Sequence, residues 1–289
     1  MATWFWILAW SLSILTITGN GFIIFLVCNK RQLRTKTNAF VVSLAVADFC
    51  VGTSTVPSLF ACKMATVCDP QARSSWIHLI RWPFAFASVM SLCSLVLDRY
   101  FAVVKPLHYL TLMTHRRIVQ LVLLSWTIPA AVIALPLLYL TFKVPLLLEA
   151  FSWSVAILFG LIPCLMLIFC FSSMLSLVYK HHRAARIVAK QLSFNHHVSL
   201  HEIRERSAVK MMAVVISLFL VCYAIALRCT LICVLKLQET CGDTEYKIIL
   251  LLLNSAANPF AYAFYKRDIR NELRKLLKQS SLKTVKTLY

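Results

Sequence analysis

The sequence predicts an all-α membrane protein: a seven-transmembrane helix bundle followed by an amphipathic cytosolic helix. Three observations lead there. The 289 residues are 60% hydrophobic and only 14% charged, where a soluble domain carries about a quarter charged residues. Seven apolar runs each reach the roughly 20 residues that a helix needs to cross a bilayer core. The basic residues, finally, concentrate in alternate connections between those runs.

The first run, 3–28, has no basic stretch ahead of it and no small-residue cleavage site, so it reads as a membrane span and not a cleaved signal. The second covers 38–64. The third, 75–104, is interrupted by Arg81 towards its outer end and finishes on Asp98-Arg99-Tyr100. The fourth and fifth cover 117–141 and 150–179. Ser199-Leu-His-Glu202 has the spacing of a capping box, which starts the sixth helix in the cytosol ahead of the run 207–235. The seventh, 245–265, follows a polar GDTEYK stretch. Beyond it Phe264, Ile269, Leu273, Leu276 and Leu277 recur at helical spacing among basic residues, the pattern of a helix lying on a membrane surface. The closing LKTVKTLY reads as disordered, with Ser280, Ser281, Thr284 and Thr287 as phosphorylation candidates. Residues 1–265 therefore form the seven-helix domain, and 266–289 the eighth helix and a short cytosolic tail.

Charge sets the orientation. The connections after the first, third and fifth runs and the tail hold 22 lysines and arginines against Glu202, Glu205, Asp268 and Glu272. The opposite side is neutral, with Lys63, Arg73, Lys143, Lys236 and Lys247 against five acids. Basic loops stay in the cytosol, so the N-terminus is expected outside and the C-terminus inside. The net charge of +19 is thus a topology signal that also attracts anionic inner-leaflet lipid, and it does not argue for nucleic acid. Eleven cysteines lack any paired CxxC or CxH spacing, so no zinc site is expected.

Ionisable or amide side chains at bilayer depth are costly and usually mark function. Asp48 lies mid-span in SLAVADFC and Asn20 mid-span in the first run. Asn254 and Asn258 are one turn apart in NSAANPFAY, and Ser88 stands ten residues before Asp98. One buried cluster of a carboxylate and neutral oxygens would suit a small cation; the alternative is hydrogen bonding that glues helices together.

These residues carry a resemblance over nearly the whole chain. Gly19-Asn20, Leu44-Ala-Val-Ala-Asp48, Asp98-Arg99-Tyr100 continuing to Pro106-Leu107 and Tyr109, Trp126, Pro163, Phe219-x-x-Cys222 and Asn258-Pro259-Phe-Ala-Tyr262 occur in order, each in its own span. The chain resembles a class A, rhodopsin-like G-protein-coupled receptor, with a loose likeness to the melanocortin, lipid and adenosine receptor branch. The resemblance implies a plasma-membrane receptor that relays an extracellular small-molecule or lipid ligand to a heterotrimeric G protein, with arrestin as a further cytosolic partner. It implies that Asp98, and Glu205 fourteen residues before Phe219, hold Arg99 at rest, and that Pro259 and Tyr262 act as a kink and a mobile switch. It assigns Asp48, Ser88, Asn254 and Asn258 to an allosteric sodium pocket, and Val89, Pro163 and Phe219, with Tyr223, to the connector between the outer and inner halves.

The departures bear on the ligand. The sixth run reads Cys222-Tyr223-Ala224-Ile225, without the family's usual tryptophan and proline, and Phe171 replaces a tyrosine. The usual disulfide from the third span to the second outer loop is expected to be absent: the third-span position is Ser74, and residues 142–150 hold no cysteine. Cys68, Cys233 and Cys241 remain for another outer bridge. Leu252 stands where an opsin has its lysine, and Arg81 where an amine receptor has its aspartate. Arg81 and Arg228, with Ala85 and Tyr223, are therefore ligand-binding candidates for an acidic or lipid-like molecule; the alternative is that both arginines snorkel to the interface or pair with Glu149. No enzymatic constellation and no cofactor is expected beyond the sodium ion. Two rival functions stay open: a ligand-independent or constitutively active receptor-like scaffold, and a transporter or channel, for which inverted repeats are lacking.

Overall fold

The computed structural model describes residues 2–64, 72–192, 212–224, 228, 232, 235 and 244–276. Among the described residues the chain is helical: α1 (Thr3–Asn29), a 3-10 turn (Arg31–Leu33), α2 (Lys36–Met64), α3 (Ala72–Val104), α4 (Pro106–Leu112), α5 (His115–Phe142), α6 (Pro145–Ser154), a π segment (Val155–Leu161), α7 (Ile162–Leu192), α8 (Met212–Ala224), α9 (Thr244–Tyr265) and α10 (267–276). Six helices are long and apolar enough to cross a membrane, and α8 is a shorter apolar helix within the expected sixth span. Six of the seven expected runs thus coincide with span-length helices.

Burial shows where each span sits. In the most apolar window of α3, 67% of residues are buried, against 22% in α5, so α3 is central and α5 peripheral. Helix α2 packs on α1 and α3, α1 on α9, and α3 on α5 and α7. Large apolar side chains on the outer surface, such as Ile14, Phe25, Leu123, Leu165 and Phe169, are exposed, as a lipid-facing surface requires. Because lipid tails are as apolar as the side chains, the helices are held by close packing and interhelical hydrogen bonds. Trp126 Nε1 donates to Ser43 Oγ at 3.2 Å, Ser43 and Ser91 hydroxyls meet at 3.0 Å, and Ser94 meets Ser125 at 3.0 Å. These bonds join α5, α2 and α3.

Three features differ from the sequence expectation. The segment after α3 folds into α4, begun by Pro106 at a first-turn position where its missing N–H costs nothing. The fifth span starts earlier, at Pro145, and passes through the π segment, where the Ile162 N–H reaches back five residues to the Ile157 carbonyl. Pro163 follows at once and has no N–H to give, so widening the turn ahead of it keeps the helix continuous. Third, α10 turns its apolar face to protein. Ile269 is fully buried in the main core, and Leu273 and Leu276 pack against it; Phe264 stays exposed. The pattern that suggested a membrane-surface helix is used here for docking on the bundle, because the core offers an adjacent apolar face. Leu277, the capping box 199–202 and the tail lie outside the described residues.

Candidate functional site

Two polar clusters occupy the axis of the bundle. One, called here the inner cluster, closes the C-terminal end of α3. Asp98 is fully buried and Arg99 is 20% exposed at its side chain. Arg99 donates to Asp98 Oδ2 through Nε at 3.0 Å and Nη2 at 2.5 Å. Two groups that the sequence reading did not assign to this pair complete the shell. The Thr37 hydroxyl donates to Asp98 Oδ2 at 3.1 Å and accepts from Arg99 Nη2. The Tyr109 hydroxyl donates to Asp98 Oδ1 at 2.8 Å, which is what α4 contributes. Burial, and then the Asp98 charge, raise the Tyr109 phenol above its ordinary pKa, so it stays a donor. A carboxylate taking four hydrogen bonds holds a neighbouring guanidinium firmly. Tyr100 turns the other way, with its ring 6.0 Å from that of Phe169 on α7. Glu205, the expected second acid, lies outside the described residues.

Behind this pair stands Lys266, at the junction of α9 and α10. Its ammonium donates to Asn38 Oδ1. Burial, then the nearby positive Arg99, lower its pKa to about 7.

The outer cluster is centred on Asp48, which is fully buried. Ser88 Oγ donates to Oδ1 at 2.6 Å and Asn258 Nδ2 to Oδ2 at 2.7 Å. Three of the four expected residues are therefore in direct contact, and Asn254 is buried one turn before Asn258. Asn20 does different work: its amide donates to the Thr16 and Ser255 carbonyls at 3.0 and 3.1 Å, tying α1 to α9. Asn20 Oδ1 and the Tyr262 hydroxyl are buried without a hydrogen-bond partner, and the Ser255 side chain lies close enough to Asp48 to interact with it. Buried orphan oxygens are expensive, and a carboxylate among hydroxyl and amide oxygens is the donor set of a small hard cation. Pro259 is buried beside Gly19; a Cβ added there would lie 3.0 Å from Pro259 Cγ, so any larger residue would crowd the proline.

Between the clusters, Val89 and Phe219 are buried in one core and Pro163 is buried on α7. Phe219 stacks on Tyr223 with ring centroids 4.4 Å apart and planes 17° from parallel. Tyr223 is partly buried and packs against the same core. Of the ligand candidates, Arg81 is 8% exposed and Ala85 is buried one turn further in, whereas Arg228 is exposed. The two arginines therefore differ in environment. Cys62, at the outer end of α2, is disulfide-bonded, a cysteine that the sequence reading did not single out; Cys68, Cys233 and Cys241 lie outside the described residues.

Comparison with known sequences now decides the family. The 7 transmembrane receptor (rhodopsin family) profile matches residues 19–262, most of the chain. The chain belongs to the rhodopsin family of seven-transmembrane receptors. Among similar receptors are octopamine receptor beta-1R of Drosophila melanogaster, 29% identical over 91% of this chain and 59% of its own length, and octopamine receptor beta-2R of Chilo suppressalis, 26% identical over 91% of this chain and 77% of its own. An alpha-2B adrenergic receptor of Equus caballus is 37% identical over 44% of this chain and 33% of its own length. This receptor thus spans about 59% of the Drosophila protein. These relatives are named for amines, not for the melanocortin or lipid ligands towards which the missing loop disulfide pointed. A shared absence of two residues is weak evidence of kinship beside similarity over 91% of the chain. The likeness to amine receptors nonetheless coexists with Arg81 at the position expected to be acidic.

Proposed function

We propose that this receptor carries a signal from its outer half to a heterotrimeric G protein at its cytosolic face, as a multi-pass plasma-membrane protein with its N-terminus outside. The observation that supports it most directly is the clamped guanidinium. Arg99 is held by Asp98 and Thr37 at the inner end of the central helix. Release of Arg99 and outward movement of the sixth span would open a cup for a partner helix, a two-state element that a ligand biases. Arrestin and inner-leaflet lipids are further partners of the same basic face. The test is nucleotide exchange on purified heterotrimeric G proteins of each class, with Arg99→Ala as the control: exchange above background that disappears in the variant supports the reading, and no exchange with any class, basal or ligand-driven, favours a scaffold.

The ligand proposed is an acidic or lipid-like small molecule. Arg81 is buried on the face of α3 that continues to Ala85, and a guanidinium there repels the ammonium of an amine and attracts a carboxylate or phosphate. Long-chain carboxylic acids and octopamine, assayed in parallel, separate the alternatives. We expect response to an acid, reduced about tenfold or more in potency by Arg81→Ala, since a charge-assisted bond contributes about 1.5–3 kcal/mol. Activation by octopamine, or unchanged acid potency in the variant, overturns this choice without touching the G-protein reading.

Asp48, Ser88, Asn254 and Asn258 are proposed to hold a sodium ion that favours the resting state. The receptor is then expected to melt higher in sodium than in a large organic cation at equal ionic strength, and Asp48→Asn to erase that difference. Equal melting temperatures in the two salts would remove sodium from the scheme.

A further inference from the structure

The first turn of α2 touches both cytosolic switches through two adjacent residues. Successive helical residues point about 100° apart, so neighbours address different helices. Thr37 faces α3, where its hydroxyl bridges Asp98 and Arg99. Asn38 faces α9: its Oδ1 accepts from Lys266, while its own Nδ2 donates to the Leu33 carbonyl at 2.5 Å. Asn38 is fully buried, so its amide has no water to fall back on, and both of its polar ends are committed.

Lys266 is bound equally closely to the second switch. It lies between α9 and α10, yet its N–H donates to the Tyr262 carbonyl at 2.9 Å and its carbonyl accepts from the Arg270 N–H at 2.9 Å. Tyr262 therefore cannot move without pulling on the residue whose side chain is anchored to α2. Lys36, next to Thr37, donates to the Met113 carbonyl at 3.1 Å, which pins the same turn to the end of α4. A chain of direct contacts runs Arg99, Thr37, Asn38, Lys266, Tyr262, with a single covalent step inside α2.

We propose that the Thr37–Asn38 turn is a mechanical coupler, and that Lys266 is a positioning residue that makes release of Arg99 and displacement of Tyr262 one event. The inference rests on the receptor reading for its purpose, but its test reads structure, so the two can fail separately. Linked sites respond reciprocally. Amide hydrogen exchange of the full chain in lipid nanodiscs supplies the measurement. Thr37→Ala touches only the Arg99 side; it is expected to speed exchange of the amides of 266–270 about fivefold, the effect of losing one hydrogen bond's worth of restraint. Lys266→Met removes the anchor to Asn38 on the Tyr262 side, and with it a charge near Arg99; it is expected to speed exchange at 37–40, while Lys266→Arg, which keeps a donor and the charge, stays near the parent chain. Residues 118–128 of α5 serve as the control and are expected not to change. Unchanged exchange at 266–270 in Thr37→Ala overturns the proposal. So does acceleration that spreads equally to 118–128, which is general loosening. If the chain also drives nucleotide exchange, basal rates in Thr37→Ala, Lys266→Met and the double variant distinguish a coupler from two independent locks: the double variant is expected to equal the stronger single one, and multiplied effects count against coupling.

Discussion

Asp98→Ala is expected to raise basal G-protein nucleotide exchange about tenfold and to lower the melting temperature of the receptor. Asp98 is fully buried and accepts from Arg99, Thr37 and Tyr109. Its removal leaves a guanidinium, a hydroxyl and a phenol without the acceptor they share. Breaking one side of a buried ion pair costs about 3–5 kcal/mol. Arg99 is 20% exposed and can turn to solvent, which places the expected cost at the lower end. In the proposed activation that turning is the movement that engages a partner, so the same substitution is expected to destabilise the resting state and populate the active one; a bias of about 1.4 kcal/mol in that equilibrium is tenfold in occupancy. Tyr109→Phe removes one donor and leaves the pair, so a smaller rise is expected. A melting temperature equal to that of the parent chain, with no change in basal exchange, would show that the clamp is not what holds the receptor at rest.

Gly52→Leu is expected to abolish recovery of folded receptor. A Cβ at Gly52 would lie 2.9 Å from Ile17 Cγ1, 3.2 Å from Thr16 Cγ2 and 3.3 Å from the Ser13 carbonyl oxygen. The Gly52 carbonyl also accepts from Ser13 Oγ at 2.6 Å. Here α1 and α2 approach at backbone distance, which membrane helices achieve with small residues. The Ile17 side chain can swing away from one methyl, but the Ser13 carbonyl is backbone and cannot. Gly52→Ala should therefore cost about 1–3 kcal/mol, read as a lower melting temperature with the fold retained, whereas leucine forces the helices apart and breaks the Ser13 bond as well. Size-exclusion chromatography of the detergent-extracted protein distinguishes the outcomes; a monodisperse Gly52→Leu peak with parental stability would show that this crossing can open without penalty.

The parts of the molecule that were legible in the sequence are those on which the bilayer imposes a strict rule. Spanning segments must be long, apolar and helical, and six appear as such; buried acids must find donors, so Asp48 meeting Ser88 and Asn258 was readable from their depth alone. The less legible parts depend on short polar side chains near the membrane boundary, where water competes and no periodicity singles them out. Thr37 is an unremarkable threonine until α3 folds against it 62 residues later. Lys266 reads as one more basic residue after a span, because nothing local says that Asn38 will take its ammonium. Tyr109 entered as part of a family likeness, without a role. The apolar spacing of α10 was correct, but spacing alone does not tell whether lipid or protein receives the face; Ile269 in the core decides it. Arg81 and Arg228 looked equivalent as charges in outer halves and differ in burial, a property that belongs to the packed bundle.

The widened turn ahead of Pro163 has a consequence for leverage. From Ile162 to Leu192 the chain is one helix of 31 residues, which at about 1.5 Å per residue is a rod of roughly 46 Å, well beyond the roughly 30 Å thickness of a hydrocarbon core. The π segment leads into it, where bonds reaching back five residues replace the regular ladder, and such segments are among the places where helices bend. Tilting the rod there by about 10° sweeps its inner tip through about 8 Å, from the same rise per residue. Any bend at the π segment is thus magnified along α7 into a displacement at its far end larger than a helix radius, on the opposite side of the membrane.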